Sequence, residues 1–268
     1  MEIFDPSKRE WKLQSEVPLR GEGFAVCEVP EIGVAILGGG NGKGHGRTDA
    51  EIYHAQGDTW SSAAPMRTGR FGHSATPLKD GRILVVGGHT EDRDVVRHVL
   101  RETRITRDCE ILDPRRKEWT SVQSLNVRRS RHQAVLLGTG EVLVVGGYTS
   151  GSEVTDSCEV FSPQSSKWTV VERLPQLRGS FLLSQLPGGD ALLIGGIEVN
   201  EKGESSPEDI DEVRHTYRFM AASKTWARGP KLHRGRALFS MAVSESGIFI
   251  VGGFAPTPTT SSEFLRVR

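Results

Sequence analysis

Arginine recurs at one station of a repeating sequence. It stands at Arg20, at Arg67 and Arg70, at Arg128, Arg129 and Arg131, at Arg178, and at Arg234 and Arg236. A planar guanidinium group presents donors in a fork that matches a carboxylate at two points. Several such groups on one face would receive an acidic peptide. Residues that follow glycine pairs offer a second set of polar groups, Asn41, His89 and Tyr148, whereas Ile197 and Phe254 occupy the corresponding places elsewhere. The ligand-facing reading assigns binding to Arg20, Arg70, Arg129, Arg178 and Arg236 with Asn41, His89 and Tyr148. It expects Arg70→Ala combined with Arg129→Ala to reduce partner capture without unfolding. The alternative is internal: the same donors cap backbone carbonyls between adjoining sheets.

Catalytic constellations are not apparent. The eight histidines are scattered, and His73 and His132 hold equivalent places in RFGHS and RSRHQ, as repeat residues do. No Ser-His-Asp order stands out. The glycine-rich run GGGNGKGHG at 38–46 contains Lys43 but lacks the Ser or Thr of a phosphate loop and does not open a helix. The expectation is no catalytic residue, no metal and no cofactor.

The elements that carry these residues repeat five times. Tryptophan stands at Trp11, Trp60, Trp119, Trp168 and Trp226. Glycine pairs stand at Gly38-Gly39, Gly87-Gly88, Gly146-Gly147, Gly195-Gly196 and Gly252-Gly253. From each Trp to the next pair the count is 27, 27, 27, 27 and 26, and from each pair to the following Trp it is 22, 32, 22 and 31. One half of the unit is fixed in length and the other takes insertions. A period of about 50 residues with these marks reads as a β-propeller built from a repeated four-stranded blade.

Residues 70–119 show one unit. RFGHSATPL is the first strand, Asp80-Gly81 supplies a tight turn, and RILVV is a second strand apolar on both faces. The glycine pair ends it where bare backbone passes close to a neighbour. CEILD is the third strand, and EWTSV, opened by Trp119, is the fourth. The second strand returns as VAILGG, EVLVVGG, ALLIGG and IFIVGG, and the third as AEIY, CEVF, TYRF and SEFL.

This grammar resembles the kelch repeat along nearly the whole chain. The resemblance implies an all-β propeller in which the tryptophans and glycines are structural and pack between blades. It also implies a non-enzymatic protein-interaction module, a scaffold or adaptor. In kelch substrate adaptors of ubiquitin ligases, lead-in arginines and polar residues after the glycine pair receive acidic peptides. Kelch-like propellers also include enzymes. The copper site of galactose oxidase and its relatives needs two Tyr and two His, and only Tyr53, Tyr148 and Tyr217 are present, with no matching His. Nitrile-specifier proteins bind iron through Glu, Asp and His spaced by four; Asp211 and His215 have that spacing, but Pro207 takes the Glu place. Sialic-acid epimerases share the fold, with no distinctive match beyond the repeat. The alternative function is therefore a kelch-type enzyme or binder acting on a sugar or other small molecule.

The blades are expected at about 20–65, 68–125, 128–174, 178–231 and 234–268, the last completed by residues 1–17, so that N- and C-terminal strands close a single five-bladed domain over 1–268. That arrangement leaves one third strand surplus, and a six-bladed ring with two incomplete blades is the alternative. Two insertions stand out. Residues 89–108 carry five acids and five arginines, and Val95, Val96, Val99 and Leu100 have the spacing of a short amphipathic helix. Residues 197–215 hold seven acids against Lys202 and Arg214, which suits a solvated insertion or a docking arm for a basic partner.

Composition sets outer limits. Formal net charge is zero over 268 residues, which argues against a nucleic-acid partner and gives no cue for an anionic membrane. No apolar run approaches membrane-span length. Three cysteines without metal-type spacing and a polar beginning, MEIFDPSKREW, point to reduced thiols and a cytoplasmic location.

Overall fold

A computed structural model describes residues 2–5, 7–18, 21–91, 104–150, 153–200, 204, 213–254 and 257–266. Every regular element among them is a β-strand, and the repeat units form five sheets that are the blades of a β-propeller. The chain divides into two compact units, Met1–Val122 and Gln123–Arg268.

The first unit opens with a hairpin of strands Glu2–Asp5 and Glu10–Leu13. Two complete blades follow. The first consists of Ala25–Val29, Gly33–Leu37, Ala50–His54 and Thr59–Ser62. The second consists of Ser74–Pro77, Ile83–Val86, Cys109–Asp113 and Glu118–Val122. The second unit holds a third blade of Gln133–Leu136, Val142–Val145, Cys158–Ser162 and Lys167–Val171. Its fourth consists of Leu182–Gln185, Ala191–Ile194, His215–Met220 and Thr225–Lys231. The fifth has three strands, Ser240–Ser244, Gly247–Val251 and Ser262–Arg266. All neighbours are antiparallel and follow chain order within each blade.

The apolar second strands explain themselves. Ile83–Val86, Val142–Val145 and Ala191–Ile194 are wholly buried, because each lies inside its sheet and is covered on both faces. Within the first unit, Ile83, Val85 and Leu112 of the second blade pack on Ala35, Leu37 and Ala50 of the first. Within the second, Leu143 and Val145 of the third blade meet Leu193, Phe219 and Trp226 of the fourth.

The turn from third to fourth strand has one design. Asp113 Oδ1 accepts the backbone N–H groups of Arg115 and Arg116, both at 3.0 Å, and Lys117 closes the turn at φ 59°. Arg9, Asp58, Ser166 and Lys224 adopt the same left-handed conformation at the equivalent place. The next residue but one is always the tryptophan, so the turn aims the indole.

The tryptophans divide into three grades of burial. Trp168 and Trp226 are buried, and their Nε1–H groups donate to Gln123 O (2.8 Å) and Glu172 O (3.2 Å). Trp119 and Trp60 are half-buried, and Trp119 Nε1–H donates to Ala64 O at 2.6 Å. Trp11 departs from the expected inter-blade packing: it is 68% exposed and packs on Phe4. The Trp11 strand pairs with Glu2–Asp5, and the C-terminal sheet has three strands. A two-stranded hairpin offers no inner strands to flank an indole, which accounts for the exposure.

Val95, Val96, Val99 and Leu100, and the acidic residues Glu201, Glu208, Asp209, Asp211 and Glu212, lie outside the described residues. Cys27, Cys109 and Cys158 are free and buried, and burial pushes the Cys27 and Cys158 thiols up to about 12. Among the described residues no helix is long and apolar enough to cross a membrane.

Burial decides what each indole is worth. Trp168→Ala should lower the unfolding free energy by about 3–5 kcal/mol, whereas Trp11→Ala should lower it by under about 1 kcal/mol. Urea denaturation followed by circular dichroism reads the difference; equal losses would contradict the packing described.

Candidate binding face and the buried arginines

Each blade begins with a short lead-in turn whose arginine points inward. Arg70, Arg129 and Arg178 are fully buried and Arg236 nearly so. Arg129 Nη1 donates to the carbonyls of Gly146 (2.8 Å) and Ser157 (2.9 Å), and Nη2 to Ser157 Oγ (2.8 Å) and Glu159 Oε1 (2.9 Å). Arg70 repeats the pattern on Gly87 O, Asp108 O and Glu110 Oε1 at 2.9, 2.8 and 2.7 Å. Arg236 does so on Gly252 O and Ser261 O at 3.1 and 3.3 Å, with Glu263 at 3.6 Å.

The carboxylates are buried as well, and they reach back to the lead-in turn. Glu159 Oε2 accepts Asn126 N–H and Asn126 Nδ2–H, both at 2.8 Å, while Oε1 accepts Val127 N–H at 3.1 Å. Glu110 Oε2 accepts Arg67 N–H, and Glu263 Oε1 accepts His233 N–H, at 2.9 and 2.8 Å. One Arg–Glu pair thus ties together the lead-in turn, the first glycine of the pair and the start of the third strand. Hydrogen bonds of this kind offset part of the desolvation cost of a buried pair.

The fourth blade departs from the rule. Tyr217 occupies the place of the glutamate. Arg178 Nη1 donates to Gly195 O (3.1 Å) and His215 O (3.0 Å), Nη2 bonds Gln176 Oε1, and the guanidinium carbon lies 5.0 Å from the Tyr217 ring centre. Burial without a carboxylate partner pulls the Arg178 pKa below the usual range.

The expected solvent-facing role of Arg70, Arg129, Arg178 and Arg236 is therefore replaced by an internal one, since all four are buried and their Nη groups bond within their own blades. Arg20 lies outside the described residues. Substituting Arg70 or Arg129 would remove an internal strut, so capture and folding would not separate as the sequence reading expected. The missed partners were Glu110, Glu159 and Glu263. The signal available was the constant interval of 17 residues from Arg70, Arg129 and Arg178 to the glycine they bond, with Glu second in the third strands.

The post-glycine residues are brought beside the lead-in turns. Backbone bridges join Phe71 to His89, Ser130 to Tyr148, and Ala237 to Phe254, and Gly179 pairs with Ile197. His89 is buried and its ring stacks on Phe71 with centroids 5.0 Å apart. Tyr148 is half-buried, and its hydroxyl lies against Gly179 of the next blade, 3.6 Å from where a Cβ would stand. Asn41 is exposed, but its Oδ1 accepts the N–H groups of Lys43 (2.8 Å) and His45 (3.2 Å) and so shapes its own turn. Glycine is required beside these bridges: Gly147 has φ 95°, and a Cβ there would lie 2.6 Å from Ser130 O.

What remains open to solvent is a different set. Arg128 and Arg131 are exposed in the lead-in turn of the third blade. Arg131 has φ 49°, Ser180 φ 53° and Leu238 φ 51°, so one corner residue of each of these blades is held left-handed. Non-glycine residues in that region are strained, and such strain gathers at functional corners. Among the described residues no group of three or more His, Cys, Asp or Glu side chains could hold a metal ion. Asp211 of the considered Asp211–His215 spacing lies outside the described residues.

The comparisons agree with this architecture. The Kelch motif model matches residues 70–126 and 128–175. Kelch-like protein 25 of Xenopus laevis is 29% identical over 143 residues, 53% of this chain and 23% of that protein. Kelch-like protein 28 of Mus musculus is 28% identical over 120 residues, 45% of this chain and 20% of that protein. The chain spans under a quarter of the length of these curated relatives. A solved structure described as "Structure of YjhT" superposes with a TM-score of 0.74 at 14% identity, covering 97% of this chain and 86% of that one, which speaks for the fold alone. The chain folds as a β-propeller and is similar to the kelch repeat over residues 70–126 and 128–175.

His73 supplies a pH test of the buried arginine environment. Burial, then the positive charge of Arg70, hold its pKa down at about 3, below the ordinary 6.5. A depressed histidine pKa favours the neutral folded form. The stability it supplies is complete above pH 6.5 and is lost as pH falls from there towards about 3, at about 1.4 kcal/mol per unit. His73→Gln should flatten that part of the stability profile between pH 6.5 and 4; an unchanged slope would show that His73 is not buried in neutral form.

Proposed function

We propose that the chain is a protein-interaction module of kelch type, a scaffold that takes a protein partner on the face formed by lead-in turns and post-glycine residues. The finer reading is an acidic peptide received by the exposed arginines of the third blade, Arg128 and Arg131, beside Tyr148. The observation that carries it is the exposed, left-handed Arg131 next to the Ser130–Tyr148 bridge. Arg70, Arg129, Arg178 and Arg236 close internal bonds, so the fork for a carboxylate is left to exposed lead-in arginines such as these two. Similarity to Kelch-like proteins supports a binding role for the repeat.

Affinity capture from the native source, with mass spectrometry, identifies the partner. Arg131→Glu should then reduce its capture by roughly tenfold or more, because a reversed charge repels an acidic ligand. The melting temperature should be unchanged, since Arg131 is exposed. Undiminished capture at equal loading would exclude this face.

A further inference from the structure

The turns from third to fourth strand differ at one residue that bears on chemistry. Six positions before tryptophan stand Asp5, Asp113 and Ser162, each followed by proline, in FDPSKREW, LDPRRKEW and FSPQSSKW. His54 and Met220 take that place in the remaining two turns. The aspartates act alike. Asp5 Oδ1 accepts the N–H groups of Ser7 (3.0 Å) and Lys8 (3.2 Å), as Asp113 Oδ1 accepts those of Arg115 and Arg116. The Ser7 hydroxyl and the Lys8 N–H hold the Asp5 carboxyl below its ordinary pKa, so this turn favours an anion.

Serine fills the same turn less well. Ser162 Oγ donates to Gln164 Oε1 at 3.2 Å and accepts Ser165 N–H at 3.5 Å, longer than an ordinary N–H···O bond. The residue across the ladder changes as well. Asp5 and Asp113 face Glu10 and Glu118, whereas Ser162 faces Lys167. Two of the turns thus set an acid opposite an acid, and the third sets a hydroxyl opposite an exposed ammonium. An anion on Ser162 would have a cation directly across the strand pair. The segment is open to a second protein, since Ser162 is half-buried at the strand end and Gln164, Ser165, Ser166 and Lys167 are exposed.

We propose that Ser162 is a phosphorylation site for a proline-directed serine/threonine kinase, and that its phosphate caps this turn as the aspartates cap theirs. In the transfer, Ser162 Oγ bonds the γ-phosphorus of a nucleoside triphosphate. The bond from that phosphorus to the bridging oxygen breaks, the diphosphate leaves, and the hydroxyl proton passes to the base of the kinase. The product carries a charge of about −1.5 to −2 at neutral pH and three acceptor oxygens. These oxygens take the N–H groups of Gln164 and Ser165 and the Lys167 ammonium. The turn aims the buried Trp168, so the modification fastens the outer hairpin of the third blade.

Treatment of the full chain with a purified proline-directed kinase and ATP, followed by peptide mapping in a mass spectrometer and by thermal unfolding, tests this. Ser162 should carry one phosphate. The modified chain should melt about 2 °C or more above the same sample after phosphatase treatment. Ser162→Ala, carried through the same steps, should show no such shift, which separates this site from Thr257-Pro258. A chain in which Ser162 stays unmodified, or a phosphate on Ser162 that lowers the melting temperature or leaves it unchanged, overturns the proposal.

Discussion

A buried guanidinium group sets the geometry on which each blade's inner end depends. The glycine pair that ends the second strand turns through left-handed conformations, which turns its carbonyls away from the sheet ladder. Left in a low-dielectric interior, those carbonyls would cost free energy. Arg70, Arg129, Arg178 and Arg236 supply the missing donors, each to the first glycine of the pair and to the residue that leads into the third strand. Three of the four gain a glutamate from that strand, and the glutamate returns to hold the lead-in turn. Glycine and arginine are thus one unit, to which three of the four blades add a glutamate.

The fourth blade shows what the unit tolerates. With Tyr217 in place of glutamate, Arg178 keeps its two carbonyls and takes a side-chain amide and an aromatic face instead. The carbonyl bonds persist where the carboxylate does not, which marks them as the essential part. Arg131, exposed beside the Ser130–Tyr148 bridge, lies outside this internal network.

Much of this was legible in the sequence. The five second strands, the glycine pairs and the blade type followed from spacing, because burial on both faces demands an uninterrupted apolar run and a close backbone approach demands glycine. The tryptophan marks were legible, but not their exposure: Trp11 and Trp119 each follow two basic residues and a glutamate, yet their burial differs. The arginines were recognised by period, with a ligand-facing and a carbonyl-capping role both left open. A guanidinium group reads identically in sequence whether it faces a ligand or a carbonyl, and its glutamate lies 30 or 40 residues away. The choice is made by the glycine carbonyls, whose unmet bonding capacity appears only once their left-handed backbone is seen.

The most direct measurement is a double-mutant cycle on the third blade, using Arg129→Met, Glu159→Leu and the two together, each unfolded in urea. If the pair acts as one buried unit, each single change should cost about 3–5 kcal/mol, by leaving the other charge uncompensated. The double variant should then cost less than the sum by more than about 1 kcal/mol. Strictly additive losses, or single losses within about 0.5 kcal/mol of zero, would contradict the account.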